Sequence, residues 1–261
     1  MRSLGLLWLS FRLGVLNALQ YRANFFIQLV RSLVGLGTAL AGIAVVFGQT
    51  DDLAGWSREE IVAVLGVFWL VGGLVGLVTR PSMEALMEGV RLGTLDFTLV
   101  KPADSQVLVS VRQVEVWRLV DVALGAVTVV IAVLGLGERM GWERAAAFAL
   151  TLAGGLAIIY SFLLILATLA FWLVKLENIL VVYGTMYEAG RWPVGIYPPW
   201  LRLALTVVVP VAFAITVPVE ALVGRLDAGT LLTTVCLAAA FLFGSRLFWR
   251  FGLRHYTGAS A

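Results

Sequence analysis

The chain has 261 residues, 61% of them hydrophobic and 13% charged, with a formal net charge of +3 and a mean hydropathy of +0.96. Soluble domains carry about a quarter charged residues, so this composition excludes a soluble enzyme and a disordered chain alike, and it calls for lipid as the main solvent. One cysteine, Cys236, and one histidine, His255, rule out a disulfide framework and a zinc site built from those residues.

Residues 1–22 read as an amphipathic helix lying in the membrane interface, with an extension of the first span as the alternative. Leu4, Leu7, Trp8, Phe11, Val15 and Ala18 recur at helical spacing, with Ser3, Ser10, Asn17 and Gln20 between them. Arg12 interrupts the apolar run too early for a cleaved signal peptide. Six stretches then approach the roughly 20 apolar residues needed to cross a bilayer. The first, 24–48, carries only Arg31, whose long side chain is expected to snorkel toward the interface. The second, 61–79, has no charge. The third, 116–137, holds Arg118 and Asp121 near its start, spaced to pair as i and i+3. The fourth, 145–174, runs 30 residues without a charge. The fifth, 203–219, is short and interrupted by Pro210 and Pro218, with Glu220 directly beyond. The sixth, 228–245, ends at Arg246. Gly35, Gly42, Gly72, Gly73, Gly76, Gly154 and Gly155 predict close helix packing. The expected fold is therefore an all-α polytopic membrane protein forming one domain over 1–261.

With six spans both termini lie on one side, which collects fifteen of the nineteen lysines and arginines; the other side keeps Arg58, Arg139, Arg144 and Arg225. That bias predicts cytoplasmic termini. The outer connections are short and the inner ones, 81–115 and 175–202, are long, so the parts outside the bilayer are expected in the cytoplasm. No internal repeat is visible, which disfavours a transporter built from inverted halves.

The chemistry of energy supply is missing. The only lysines, Lys101 and Lys175, each follow valine, so no Gly-Lys-Ser/Thr phosphate loop exists. Gly-x-Ser-x-Gly does not occur either. The chain is expected to be no enzyme and to bind no cofactor, and nothing predicts a nucleic-acid partner. Uphill transport would need a partner to supply its energy.

The inner loop 81–115 opens with Ser82 after a proline, a plausible helix N-cap. Met83, Leu86, Met87 and Val90 then share an apolar face, and Glu84, Glu88 and Arg91 a charged one. A short helix of this kind suits docking a cytosolic partner, although a solvated interfacial helix has the same pattern. The run Gly93-Thr94-Leu95-Asp96-Phe97-Thr98-Leu99-Val100-Lys101-Pro102 resembles the Gly-Thr-Leu, then Leu, then Pro signature after the second span of ABC transporter type 2 permeases. Tyr21-Arg22-Ala23-Asn24-Phe25, Arg191-Trp192-Pro193, Ile196-Tyr197-Pro198, Trp200-Leu201-Arg202, Val209-Pro210-Val211-Ala212-Phe213 and Val217-Pro218-Val219-Glu220 fit the same family. The similarity covers nearly the whole chain and points to a bacterial branch of small six-span permeases.

That resemblance implies an interfacial helix, six spans and a re-entrant or broken region before the last. It implies two permeases, identical or related, on two ABC ATPase subunits that carry the ATP and magnesium, in the bacterial cytoplasmic membrane. It makes the inner loop the element that touches the ATPase, with Glu84, Glu88, Arg91, Gly93, Thr94, Asp96, Lys101 and Pro102 as its candidate residues. Proline removes a backbone donor and disfavours helix in the residue before it. Pro210 and Pro218, with Glu220, therefore mark a broken span and a candidate hinge or gate, though neighbouring helices can also accommodate a simple kink. Arg246, Arg250 and Arg254, at i+4 spacing beside Phe248, Trp249, Phe251 and Tyr256, form a candidate anchor at the inner leaflet of the lipid bilayer. An exporter permease for an apolar or amphipathic cargo is the leading expectation. An ion-coupled secondary transporter would need an intramembrane carboxylate, Asp121 or Glu220; a non-transporting scaffold subunit is the third reading.

Overall fold

The computed structural model describes residues 22–137, 141–173 and 178–256, so the interfacial helix expected before Arg22 lies outside the described residues. Among them the only strand-like feature is a bridge between Leu53 and Trp56. Five helices are long and apolar enough to cross a bilayer, and a bent pair makes six if it counts as one span.

Helix α1, Arg22–Phe47, is followed by a turn and by α2, Arg58–Leu74. Ser57 starts α2 through reciprocal bonds: its Oγ accepts from the Glu60 amide at 3.4 Å, and the Glu60 carboxylate accepts from the Ser57 amide at 2.8 Å. Glu60 is buried and also accepts from Arg225 at 2.8 Å, while the Arg225 guanidinium lies 5.0 Å from the Trp56 ring centroid. One carboxylate thus caps a helix and ties two connections together. Glu60→Ala is expected to cost about 1–2 kcal/mol through the lost cap and the lost pairing with the half-exposed Arg225. An unchanged melting temperature in detergent would refute that role.

The helix does not stop where α2 ends. A π-helical turn, Val75–Thr79, carries it into α3, Arg80–Arg91, so that 34 residues run continuously from Arg58 to Arg91. At 1.5 Å per residue that is about 51 Å, well beyond a hydrocarbon core of about 30 Å. Pro81 sits inside this helix and cannot donate to the carbonyl of Leu77; the amide of Glu115 takes that carbonyl instead, at 2.8 Å. Ser82 is therefore not an N-cap. It is fully buried, and its hydroxyl bonds the backbone of Gln113, donating to the carbonyl and accepting from the amide, both at 3.1 Å. A proline at a helix start and one rescued in mid-helix look alike in sequence, because the rescuing amide lies more than thirty residues away.

Helix α6, Leu119–Gly135, packs along α2 with backbones in near contact. A Cβ built on Gly125 would stand 2.3 Å from the Leu70 amide nitrogen, and one on Gly73 would stand 2.7 Å from that of Val122. In lipid such close approach replaces much of the hydrophobic drive. Of the glycines expected to pack, Gly73 and Gly155 face backbone; Gly72 and Gly76 face the side chains of Tyr187 and Arg118; Gly42 meets nothing within 4 Å. Gly66 and Gly125, on opposite helices, complete the contact that the sequence left unmarked.

Helix α7, Trp142–Thr168, is the central post, against which α3, the long last helix and the broken span all pack. After it, the connection expected as a cytoplasmic loop at 175–202 is largely helical. Helix α8, Ile179–Glu188, runs antiparallel to α2: Gly184 lies beside Arg80, the Tyr187 ring stacks on Phe68 at 4.9 Å, and Arg191 lies 5.4 Å from the Phe68 centroid. The Tyr187 hydroxyl donates to the Phe68 carbonyl at 2.7 Å. This segment returns alongside a membrane helix instead of staying outside, and its 10 residues are too few for any pattern scaled to a full crossing.

The fifth span consists of Pro199–Val208 (α9, Pro199–Leu203, and a π turn) and Val211–Leu222 (α10, Val211–Ala214, and α11, Thr216–Leu222), bent by 72°. The break is at Pro210. Val209 before it is extended, with φ −121° and ψ 98°, as the proline ring demands. Pro218 acts more locally: it cannot donate to the Ala214 carbonyl, and the helix is interrupted at Ile215, with φ −121° and ψ −60°, which leaves Pro218 in the first turn of α11. Helix α12, Ala228–His255, begins at Asp227, whose side chain accepts from the Thr230 amide at 3.0 Å.

Candidate functional site

Helix α3 projects past the apolar part of its own span and ends in a tight hairpin. Met83 and Leu86 are fully buried, Met87 and Val90 partly so, on the face that meets α7 and α5, Ser105–Ser110. The opposite face is exposed and carries Glu84, held to Arg80 at 3.0 Å, and Glu88, held to Arg91 at 2.7 Å. Gly93 ends the helix with φ +68°, a conformation that costs other residues dearly. Its turn lets the amides of Thr94 and Leu95 both reach the Gly89 carbonyl, at 2.9 and 3.1 Å. Leu95 is fully buried and anchors the turn, and α4, Asp96–Leu99, follows. The Gly-Thr-Leu run is thus a helix stop and a buried plug.

What the hairpin exposes is apolar. Leu92, Phe97 and Val100 are 60%, 74% and 81% exposed at its tip, with Arg91 and Lys101, also exposed, beside them in sequence. Pro102 is exposed, whereas Thr94 and Asp96 are half-buried. Sequence reasoning singled out the polar residues and passed over these three, whose spacing follows no helical or strand period.

A polar clamp fixes the returning strand of the hairpin. Asp104 caps α5, accepting from the amides of Gln106 and Val107 at 3.0 and 3.2 Å, and it forms an ion pair with Arg246 of α12. Arg246 also donates to Gln106 Oε1 at 2.8 Å, Gln106 donates to the Tyr160 hydroxyl of α7 at 3.1 Å, and Trp249 Nε1 donates to Ser105 at 3.2 Å. Arg246 is turned toward the hairpin, while Arg250 and Arg254 are exposed. Pro210 and Pro218 are buried, and Glu220 half-buried. The predicted loop residues and Arg246 are brought together; the proline pair lies elsewhere.

The Arg246 guanidinium holds the Asp104 carboxyl down, from 3.8 to about 2. A lowered carboxylate pKa gives a contribution that is complete above 3.8 and lost as pH falls through about 2. The clamp is therefore closed at every pH a cell experiences. Asp104→Asn is expected to open it at neutral pH, seen as faster hydrogen exchange at the Gln106 and Val107 amides. The parent chain should show comparable exchange only near pH 2, after correction for intrinsic rates; equal protection in both chains at neutral pH would count against the clamp.

Among the described residues no group of three or more His, Cys, Asp or Glu is placed to hold a metal ion. The arrangement displays an exposed apolar tip at the end of one continuous helix. No curated relative and no solved structure matches the chain. A family model described as ABC-2 family transporter protein matches residues 33–260, covering all of the helical spans but the start of α1. The chain accordingly belongs to the ABC-2 transporter permease family.

Proposed function

We propose that this chain is the membrane permease subunit of an ATP-driven exporter, and that the α3–α4 hairpin docks a separate ABC ATPase. The observation that carries the reading is the apolar tip, Leu92, Phe97 and Val100, displayed past the end of a helix too long for the bilayer. Exposed apolar clusters with a polar rim are typical of protein interfaces. Lysine and arginine bias supports a cytoplasmic position for this end of the bundle, and the family resemblance supports a bacterial cell, in which the partner would bind the ATP and magnesium.

Closure of an ATPase dimer would push on the tip. Because α3 continues into α2, that push travels along one helix to the Gly66, Gly73 and Gly125 contact with α6; through Asp104 and Arg246 it also reaches α12. A second permease, identical or related, completes the pathway, and the bend at Pro210 is the natural hinge or gate. Lipid-facing helices with few charges favour an apolar or amphipathic cargo. Gentle solubilisation from the native membrane tests this reading: an ATPase should co-purify, and transport in vesicles should stop on ATP depletion. Isolation without an ATPase, with transport unaffected by ATP, would sink it.

A further inference from the structure

Insertion of α8 beside α2 encloses a cleft of about 290 Å³ between α1, α2, the start of α6 and α8. Four guanidiniums line it, those of Arg31, Arg80, Arg118 and Arg191, against two carboxylates, Asp121 and Glu188. Both carboxylates are already engaged. Asp121 accepts from Ser32 at 2.5 Å and from Arg118 at 3.2 Å, and Glu188 holds Arg191 at 2.5 Å. Arg80 pairs with Glu84, outside the cleft. Arg31 has no partner among the described residues, and it lies six residues, about 9 Å, inside the candidate span Phe25–Phe47.

An unpaired arginine at that depth is costly unless an anion neutralises it. A second observation points the same way. Tyr183, 95% buried, lines the cleft with its hydroxyl unpartnered, and Trp69 Nε1 beside it is also without an acceptor. Every unsatisfied group here can donate, and donors converge from three helices. This donor set suits a compact anion with several acceptor oxygens, for which guanidinium forks are the usual ligands. Phe26, Ile27, Val30 and Val34 of α1 and Val181 and Val182 of α8, all exposed, provide apolar surface next to the cleft for an attached chain.

We propose that this cleft binds the negatively charged phosphate headgroup of an amphiphile that enters from the bilayer, its tails remaining in lipid along α1 and α8. This goes beyond the permease reading and does not depend on it, because binding requires neither the ATPase nor transport. Native mass spectrometry of the full chain in detergent tests it, with phosphatidic acid, phosphatidylcholine of the same tails, and inorganic phosphate as probes. The parent chain should retain phosphatidic acid about tenfold better than phosphatidylcholine, the effect expected of a charge-assisted contact. Arg31→Gln should abolish that preference, Tyr183→Phe, which removes one oxygen, should weaken it severalfold, and Arg58→Gln, exposed and away from the cleft, should leave it intact. Thermal unfolding checks that each variant is folded, and Tyr183→Phe keeps the test decisive if Arg31→Gln is not. Equal retention of the two lipids, a preference that survives both cleft variants, or an equal loss in Arg58→Gln would overturn the proposal. Displacement of the lipid by millimolar inorganic phosphate, with no contribution from the tails, would overturn the amphiphile and assign the cleft to free phosphate.

Discussion

Gly125→Ala should destabilise the protein by about 2–4 kcal/mol, whereas Gly42→Ala should be neutral or stabilising by up to about 1 kcal/mol. Both glycines lie inside long membrane helices, α6 and α1, so helix propensity favours alanine at each. They differ in what an added methyl group meets. At position 125 it would stand 2.3 Å from the Leu70 nitrogen, 2.7 Å from the Leu70 Cα and 2.8 Å from the Gly66 carbonyl. All three are backbone atoms of α2, and no rotamer change can clear them. The helices must separate by about 1 Å, which loosens dispersion contacts along the α2–α6 face and has no compensating hydrophobic gain in lipid. At position 42 there is open space. Thermal unfolding of the two variants in one detergent makes the comparison; equal melting temperatures would show that the α2–α6 contact is not the tight one.

The apolar helices were legible because charge is scarce and confined to connections. Five spans coincide with helices, and the break near Pro210 announced itself. Where the reading fell short, the missing information was long-range. Arg246 looked like one of three lipid-facing arginines at i+4 spacing, yet its partner Asp104 is 142 residues away. Pro218 looked equivalent to Pro210, but only Pro210 lies at the 72° bend; Pro218 interrupts the helix locally at Ile215, and how far each break turns the chain depends on the packing around it. Helix α8 was hidden because a 10-residue apolar stretch cannot be told from a loop until Tyr187 finds Phe68. The cleft followed from that insertion, so its arginines read separately as a snorkelling residue, a local pair and loop charges.

The largest functional effect is expected at the hairpin tip. Replacing both Phe97 and Val100 by aspartate should weaken binding of the partner ATPase by more than about thirtyfold, since a buried aromatic anchor is commonly worth 2 kcal/mol or more at an interface. The same double variant should melt within about 1 kcal/mol of the parent, because surface changes away from caps and pairs are nearly neutral. Those two positions are 74% and 81% exposed, so folding gains little from them. Leu95→Asp supplies the contrast. That side chain is fully buried two residues from Phe97, and a charge there should destabilise the hairpin itself and lower affinity only as a consequence. Affinity for the ATPase and melting temperature, measured together, separate docking from folding. If the tip variant binds and stimulates the ATPase as the parent does, the apolar tip is not the docking surface. Energy would then have to enter through another part of the chain. If it fails to bind while melting normally, the tip carries the contact and the Gly93 turn and the Asp104–Arg246 clamp serve to aim it.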